Sequence, residues 1–408
     1  MKIRNISRAR GLALAILALA LLYPTCSWSQ TFRIIHTFGG PRDGTQPLGG
    51  LVFGPDGKLY GGTSGGGVSS YCGLGGCGTV FQLAPNPDGT WSETILHYFN
   101  GPQGAGTSFQ APVFDDRGNL YGTTEGGGYQ NRGTVFELTP QDNGQWTFSS
   151  LYSFRNGSDG WSPSGIAFHN GALFVTSAWG GGEYDQGAVI NLTRSPLAGW
   201  SERTLRDFNQ YDDGWYPNGL VFDPSGNAYG TTFYSANNLG CGTGTVYKLT
   251  QNPHTRIWSE SSLYAFQCGS DGANPSSTLV LDAAGNLYST TVGGGPYGGG
   301  TVFKLTPNSD GTWTESIVWA FPQGSTPYAG VTFDAHGNLY GVTEGSGLVY
   351  KLTPSSDGQW TQTILHQFTG SDGAYPFANV ILDPAGNVYG TTSLGGAYNQ
   401  GVAFEITP

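Results

Sequence analysis

Charged side chains are scarce in this sequence, and basic ones most of all. Asp, Glu, Lys and Arg make up 11% of the 408 residues, with 17 basic against 28 acidic side chains. An acidic chain is poorly suited to nucleic acids or anionic membrane surfaces, so we predict no nucleic-acid partner. Beyond the first 29 residues no apolar run is long enough to cross a bilayer, which predicts no membrane span.

Glycine and aromatic residues are abundant instead. The chain contains 68 Gly, and 13% of its residues are aromatic. The glycines follow no G-X-Y period, which excludes collagen, and the aromatic content is too high for a disordered chain. Many short strands joined by glycine-rich turns fit this composition, so we predict an all-β fold.

Residues 1–29 have the pattern of a signal peptide. An apolar stretch, Gly11–Leu22, follows four basic residues and precedes the small residues Ser27 and Ser29. We therefore predict export to the periplasm, the cell surface or the medium, with a mature chain of residues 30–408 that carries 13 basic and 28 acidic side chains. A lipoprotein attached through Cys26 is the alternative.

One sequence segment recurs seven times along the chain. Its central glycines lie 49 to 61 residues apart, and a period of this length indicates a repeat architecture. The seven copies read LVFGPDGKLYGGTS, PVFDDRGNLYGTTE, IAFHNGALFVTSAW, LVFDPSGNAYGTTF, LVLDAAGNLYSTTV, VTFDAHGNLYGVTE and VILDPAGNVYGTTS.

Each repeat predicts four short strands, which we call A to D. Strand A is almost continuously apolar, which predicts the innermost position, and strand B follows it after a turn. Strand C (Gly300–Pro307 in the fifth repeat) and strand D (Trp313–Phe321) contain alternating apolar residues, which predicts half-buried strands. Seven such units predict a seven-bladed β-propeller, which we expect to be monomeric. A β-helix would need shorter coils, and separate sandwiches would need longer units.

The two ends of the repeat region predict how the ring closes. The last repeat ends after its strand C, at Pro408, and has no strand D. Before the first repeat, Arg33–Phe38 reads RIIHTF and matches other D strands, such as TILHYF and TILHQF. We therefore predict that the N-terminal strand completes blade seven as its outermost strand, which leaves no open sheet edge across the ring.

The repeat resembles that of a known family. Its unit, LVFDxxGNLYGTT followed by a glycine-rich loop and GTVFKLTP, is similar to the Gloeo_Verruco (GloVer) repeat of exported bacterial choice-of-anchor tandem-repeat proteins. The resemblance covers Arg33 to Pro408. It implies a propeller-like repeat protein and implies no settled biochemical activity.

Titratable residues that look like a site fall into structural positions once the repeats are aligned. Asp334 recurs at the same turn position in four other repeats, and His336 is replaced there by Ala, Ser, Arg or Asp. His36, His97 and His366 all occupy one surface position of strand D. Glu125 and Glu344 end the B strands of blades two and six, nearly opposite each other. We predict no catalytic residues, no metal site and no cofactor.

Four cysteines remain in the mature chain, and an even number in an exported protein predicts disulfides. Cys72 and Cys77 share one loop between strands B and C. Cys241 lies in another B–C loop, and Cys268 lies in the D–A loop that follows the same blade. We pair Cys72 with Cys77 and Cys241 with Cys268. A metal site is the alternative, although no His lies at ligand spacing.

The B–C and D–A loops predict the functional surface, because both kinds emerge on one face of a four-stranded blade. Seven aromatic residues of these loops cluster in blades three and four, and we predict them as contacts to a glycan or protein ligand: Trp161, Trp179, Tyr184, Trp215, Tyr216, Phe233 and Tyr234. Packing between loops is the alternative role. Tyr328 is among further aromatics spread around the ring. We favour a non-catalytic binding or scaffold module; a propeller lyase or hydrolase is the other hypothesis.

Overall fold

Seven small antiparallel sheets are arranged as the blades of a β-propeller, as predicted. The structure, a computed structural model, describes residues 30–39, 42–108, 110–195, 199–209, 213–235, 243–267 and 269–408. The predicted signal peptide lies outside these ranges. Within these ranges the helices are three short 3-10 turns, Gly73–Gly75, Tyr129–Asn131 and Gly269–Asp271. None of the described helices is long and apolar enough to cross a membrane.

The strands follow the predicted order A-B-C-D in each blade. Blade 1 contains Val52–Phe53, Leu59–Gly62, Thr79–Pro85 and Trp91–Tyr98. Blade 2 contains Val113–Phe114, Leu120–Gly126, Thr134–Pro140 and Trp146–Ser153. Blade 3 contains Trp161–His169, Ala172–Trp179, Ala188–Ser195 and Gly199–Asp207. Blade 4 contains Val221–Phe222, Ala228–Tyr234, Thr245–Gln251 and Trp258–Ala265.

The remaining three blades have the same organisation. Blade 5 contains Val280–Leu281, Leu287–Gly293, Gly298–Pro307 and Trp313–Pro322. Blade 6 contains Thr332–Phe333, Leu339–Thr343, Leu348–Pro354 and Trp360–Gln367. Blade 7 contains Ile381–Leu382, Val388–Thr392, Val402–Thr407 and Thr31–Thr37. Five further short strands lie in the loops: Gly44–Thr45, Gly65–Gly66, Ala105–Thr107, Trp215–Pro217 and Ala273–Pro275.

The N-terminal strand closes the ring as predicted. Thr31–Thr37 pairs antiparallel with Val402–Thr407 and forms the outer edge of blade 7. Arg33 forms an ion pair with Glu405, and the ring of Phe32 stacks on His366 of blade 6 at 3.7 Å. The closing strand therefore contacts its own blade and the preceding one.

Burial along the strands differs from the prediction in one respect. Strand C is buried on both faces rather than half-buried. The adjacent residues Val302 and Phe303 point to opposite faces of the sheet, and both are fully buried, as is Leu305. Strand C lies in the middle of its sheet, and the neighbouring blades cover both of its faces. Strand D does alternate, because it is outermost. Strand A is innermost, as predicted, but it pairs over only two residues in most blades.

The hydrophobic core lies between blades rather than within them. The buried apolar residues form seven clusters, and each combines residues of two adjacent blades. The Trp that opens strand D contributes to this interface: Trp91 contacts Tyr389 of blade 7 at 5.9 Å, and Trp313 contacts Tyr229 of blade 4 at 6.2 Å, both edge to face. A single blade cannot bury these residues alone, so the fold depends on the complete ring.

The aspartate that recurs between strands A and B organises a hairpin turn, as predicted. Oδ1 of Asp334 accepts hydrogen bonds from the backbone N–H groups of His336 at 2.8 Å and Asn338 at 2.9 Å. Its Oδ2 accepts from the Asn338 amide at 2.6 Å and the Tyr340 hydroxyl at 3.2 Å. Burial opposes ionisation, but the hydrogen bonds from Asn338, His336 and Tyr340 hold the pKa of Asp334 below its usual value.

Removing this carboxylate is expected to destabilise the fold. Asp334→Ala leaves the Asn338 amide and the Tyr340 hydroxyl without their acceptor, so we expect a loss of about 1–3 kcal/mol in the free energy of unfolding. His336→Ala is the matched control, because the exposed His336 contributes only its backbone N–H to the turn. Urea denaturation measures both. An equal loss in the two variants would contradict the assignment of the carboxylate as the organising group.

The predicted disulfide between Cys72 and Cys77 is present, with its two Cα atoms 5.2 Å apart. It closes a B–C loop whose apex, Gly73–Gly75, is exposed. The second predicted pair involves Cys241 and Cys268, which both lie outside the described residues. The Cys72–Cys77 pairing favours a disulfide over a metal site for this loop.

Candidate functional site

The B–C loop and the D–A loop of one blade lie side by side, on what we call the loop face. In blade 1, Gly44–Thr45 of the D–A loop pairs with Gly65–Gly66 of the B–C loop. In blade 4, Trp215 of the D–A loop pairs with Tyr234 at the end of strand B. The prediction that both kinds of loop share a face is therefore confirmed, and backbone ladders position the aromatic residues that the loops carry.

A left-handed residue stands before a proline in the D–A loops that lead into six of the seven blades. Tyr216 has a φ of 62° and precedes Pro217, and its N–H donates to the carbonyl oxygen of Gln186 in blade 3 at 3.0 Å. Non-glycine residues are rarely left-handed. The same conformation recurs before the loop prolines at Gln46, Ser162, Asn274, Thr326 and Tyr375. It is thus a structural joint, which in blade 4 presents a tyrosine at the ring axis.

Five of the seven predicted aromatic residues line one cavity of about 330 Å³ on the loop face. These five are Trp179, Trp215, Tyr216, Phe233 and Tyr234. Tyr328 and Phe377 complete the aromatic wall, and four polar side chains also line the cavity: Gln110, Ser164, Asn218 and Ser276. Because the lining residues come from six blades, the cavity lies at the axis of the ring.

The aromatic residues of the cavity also pack against each other. Trp179 contacts Trp215 at 6.2 Å and Tyr216 at 5.4 Å between ring centroids, and Trp215 stacks on Tyr234 at 4.2 Å. Each of these rings is half-buried. They therefore pack neighbouring loops together, which is the alternative role that the sequence left open, and they also line the cavity.

Trp161 and Tyr184 do not line this cavity. Trp161 stacks on Trp179 at 6.1 Å, and the Arg132 guanidinium lies 4.8 Å from its ring centroid. Trp161 thus extends the aromatic cluster outwards. Tyr184 is exposed in the B–C loop of blade 3.

Polar side chains at the axis close the bottom of the cavity. The Thr278 hydroxyl of blade 5 donates to Oε1 of Gln110 in blade 2 at 2.8 Å, and the Ser277 hydroxyl donates to Oδ1 of Asn379 in blade 7 at 3.2 Å. A second, larger cavity of about 490 Å³ lies beyond them, lined mainly by A strands. Gln110, Ser276 and Phe377 line both cavities, so the two cavities adjoin at these residues.

Glu125 and Glu344 end their B strands at the position that Phe233 occupies in blade 4. Burial raises the pKa of Glu125 to about 7. Phe233 lines the cavity, so the aligned position places Glu125 and Glu344 near the loop face of their own blades. Burial raises the pKa of Tyr216, and the charge of Glu125 raises it further. Glu344 accepts a hydrogen bond from the Thr326 hydroxyl at 2.9 Å, and its charge contributes to the raised pKa of Tyr328. Neither carboxylate is among the residues that line the cavity.

The residue at the histidine position of strand D contacts the Asp of the D–A loop that follows it. His366 contacts Asp372 at 2.9 Å, the Tyr152 hydroxyl donates to Asp159 at 2.8 Å, and the Tyr264 hydroxyl donates to Asp271 at 2.9 Å. The sequence predicted a surface position and a turn, but it did not reveal their pairing. Each pair fastens strand D to the loop that enters the next blade.

One such pair, His36 and Asp43, lies next to Glu93, and the three residues resemble a set of metal ligands. Each offers one ligand atom, and these atoms lie within 4.8 Å of one another. At the corresponding positions of blades 3 and 4, Arg206 lies between Asp213 and Glu260. A side chain of strand D thus lies between two carboxylates at this position in both interfaces. We therefore assign the group to the blade interface.

Several cavity residues were not predicted from the sequence. Gln110, Ser164 and Asn218 occupy the same aligned position, two residues before the first apolar residue of strand A. Phe377 lies one residue further upstream. These residues could have been found in the sequence, because the residue type at this position changes from blade to blade within an otherwise regular repeat. Such variation indicates a side chain that is not needed for the packing of its own blade.

Solved structures of low sequence identity share the propeller fold. Virginiamycin B lyase from Staphylococcus aureus matches with a TM-score of 0.57 and 14% identity, over 93% of this chain and 99% of that one. The periplasmic gluconolactonase of Pseudomonas aeruginosa matches with a TM-score of 0.52 and 14% identity, over 86% and 93%. At this identity the similarity shows the fold alone. No curated protein sequence matches the chain.

The family model called the Gloeobacter/Verrucomicrobia repeat matches residues 21–166, 67–195 and 164–404. Together these overlapping matches include every blade, and they agree with the seven repeats and with the sheet topology. The chain belongs to the Gloeobacter/Verrucomicrobia repeat family.

Proposed function

We propose that this propeller is a binding module that holds a glycan in the aromatic cavity of its loop face. The observation that carries the proposal is the convergence of Trp179, Trp215, Tyr216 and further aromatic residues on one cavity of about 330 Å³. Ligand pockets are typically concave and largely apolar, with a few polar groups that orient the ligand. This cavity has that composition.

A sugar ring matches the two kinds of surface in the cavity. Its C–H face packs on flat aromatic rings, and its hydroxyl groups require hydrogen-bond partners. Gln110, Ser164, Asn218 and Ser276 bring amide and hydroxyl groups to the aromatic wall. A peptide segment with an aromatic side chain is the protein ligand that would use the same features.

An enzyme acting on a glycan or a cyclic substrate is the second candidate. One observation favours it: Glu125 occupies the position that the cavity residue Phe233 occupies in blade 4, and burial raises its pKa to about 7, the range in which a carboxyl can both donate and accept a proton. Two fold neighbours are named as a lyase and a gluconolactonase, so support from them is by analogy of fold only. Turnover of a bound glycan by the wild type, absent in Glu125→Gln, would establish this candidate.

We further propose that the protein acts as an exported monomer. A disulfide such as Cys72–Cys77 persists in oxidising compartments. The gluconolactonase with the same fold is named as periplasmic. Both support export, which N-terminal sequencing of the secreted or periplasmic protein tests directly.

Replacing one wall residue is expected to abolish ligand retention. Trp215→Ala removes the ring that stacks on Tyr234 and lines the cavity, so we expect at least a tenfold loss of affinity for any glycan that a glycan array identifies. Tyr398→Ala is the matched control, because Tyr398 is an exposed aromatic residue of the same loop face outside the cavity lining.

The same experiment separates ligand contact from packing. If Trp215 only packs loops together, Trp215→Ala lowers the melting temperature and leaves glycan affinity unchanged. That result, or equal losses of affinity in Trp215→Ala and Tyr398→Ala, would contradict the proposed site. Circular dichroism verifies that each variant is folded.

A further inference from the structure

The aromatic cavity is flanked by negative charge and by no described basic residue in its lining. Glu125 and Glu344 occupy the position at the end of strand B that Phe233, a residue of the cavity wall, occupies in blade 4. Glu344 accepts a hydrogen bond from Thr326, two residues before Tyr328 of the wall. In agreement with this placement, the charges of Glu125 and Glu344 contribute to the raised pKa values of Tyr216 and Tyr328. The lining itself consists of aromatic, amide and hydroxyl side chains. The whole chain carries a net charge of −11. A neutral ligand would not form an ion pair with these carboxylates.

The two carboxylates differ in their partners. Glu344 accepts a hydrogen bond from Thr326 Oγ1, and the backbone N–H of Gly345 is bonded to the same hydroxyl. Glu125 is half-buried and has no comparable donor among the described residues, and burial is the one cause of its raised pKa. Glu125 is therefore the carboxylate that gains most from a positively charged neighbour.

The aromatic cluster already attracts a cation at its outer end. The Arg132 guanidinium lies 4.8 Å from the ring centroid of Trp161, which stacks on Trp179 of the cavity wall. Cations are attracted to the faces of aromatic rings, and sites for quaternary ammonium ligands are commonly built from several such rings. Rings on several sides and a carboxylate beside them are the parts of an ammonium site.

We propose that the group bound in this cavity carries an ammonium charge, with Glu125 as its counter-ion and the aromatic rings as its cage. This inference rests on the proposed function and deepens it: a glycan ligand would then be an amino sugar rather than a neutral sugar. The titratable groups at the cavity are Tyr216, Tyr234 and Tyr328 of its lining, Glu344 bonded to Thr326, and Arg132 over the ring of Trp161.

Two probes of the same shape test the charge. Choline and its neutral isostere, 3,3-dimethyl-1-butanol, are titrated into the intact protein at pH 8 and pH 5.5, with tryptophan fluorescence as the readout. At pH 8 we expect choline to bind about tenfold more tightly than the alcohol, a typical gain for a partly desolvated charge pair. At pH 5.5 Glu125 is protonated, and we expect the difference to disappear. Glucosamine and N-acetylglucosamine oligomers at pH 7 extend the comparison to sugars.

Glu125→Gln is expected to remove the preference for choline at pH 8 and to leave the affinity for the neutral alcohol unchanged. Glu183→Gln is the control, because Glu183 is an exposed carboxylate in the neighbouring B–C loop of blade 3. Equal affinity for both probes, or a preference that survives Glu125→Gln, would overturn the inference and leave the glycan-binding proposal standing. If neither probe nor any glycan binds, the proposed function itself fails.

Discussion

Replacing Ile35 with alanine is expected to lower the free energy of unfolding by about 2–4 kcal/mol, although its strand is the outermost one of blade 7. Ile35 is only 7% exposed, and it packs with Phe38, Leu51 and Leu59 in the cluster between blades 7 and 1. Alanine would leave a cavity at the joint where the two ends of the ring meet. Guanidinium denaturation measures the loss.

Ile34 provides a matched control one residue away. It is 39% exposed on the outer face of the same strand and pairs with Phe404, so Ile34→Ala should cost less than about 1 kcal/mol. Both variants remove the same atoms from the same strand. If they lose equal stability, burial at the ring closure is not what holds the strand, and the closing role assigned to it is wrong.

The fold was predictable because the sequence contains seven copies of one unit, and each structural position can be compared across these copies. A D strand could be recognised in Arg33–Phe38 because His36 stands where His97 and His366 stand in complete repeats. Repeats average out the local ambiguity that affects short apolar segments. The same alignment identified Asp334 as a turn residue, since its neighbours changed while it recurred.

What the repeat did not reveal is which strand faces are covered. Alternation assumes that one face of a sheet meets solvent. In this ring each sheet lies between two others, so Val302 and Phe303 point to opposite faces and are both buried. Pairing across loops was also hidden, because residues such as His366 and Asp372 meet through the conformation of the loop rather than through strand register.

The candidate site was predictable in part for the same reason. The aromatic residues could be placed on one face, because the loop type determines the face. Which of them converge depends on distances around the ring, so the sequence could not predict that Tyr216 lines the cavity and Tyr184 does not, or that Gln110 joins the lining.

Stability is expected to be higher at pH 5 than at pH 8. Burial raises the pKa values of Glu93, Glu260 and Glu315, all in D strands at blade interfaces, to about 7. In the unfolded chain these groups ionise near 4.5, so between pH 4.5 and 7 the folded state binds more protons, and its stability falls as the pH rises. His97 acts in the opposite direction: burial lowers its pKa to about 4, which adds stability as the pH rises towards 6.5. Burial likewise raises the pKa of Glu125 to about 7, so four carboxyls act against one such imidazole, and stability falls on balance as the pH rises.

Glu315 allows the cleanest test of this pH dependence. Its Oε1 is buried without a hydrogen-bond partner among the described residues, and the charge of Asp271 adds to the effect of burial. Glu315→Gln should therefore stabilise the protein at pH 8 by about 1–3 kcal/mol and have little effect at pH 5. Blade 6 carries Gln362 at the same position, so the amide fits this site. Thermal unfolding at both pH values measures the difference, with the exposed Glu183→Gln as control. A variant that is equally stabilised at both pH values, or destabilised at pH 8, would show that Glu315 is not a buried carboxyl that the fold prefers to keep protonated.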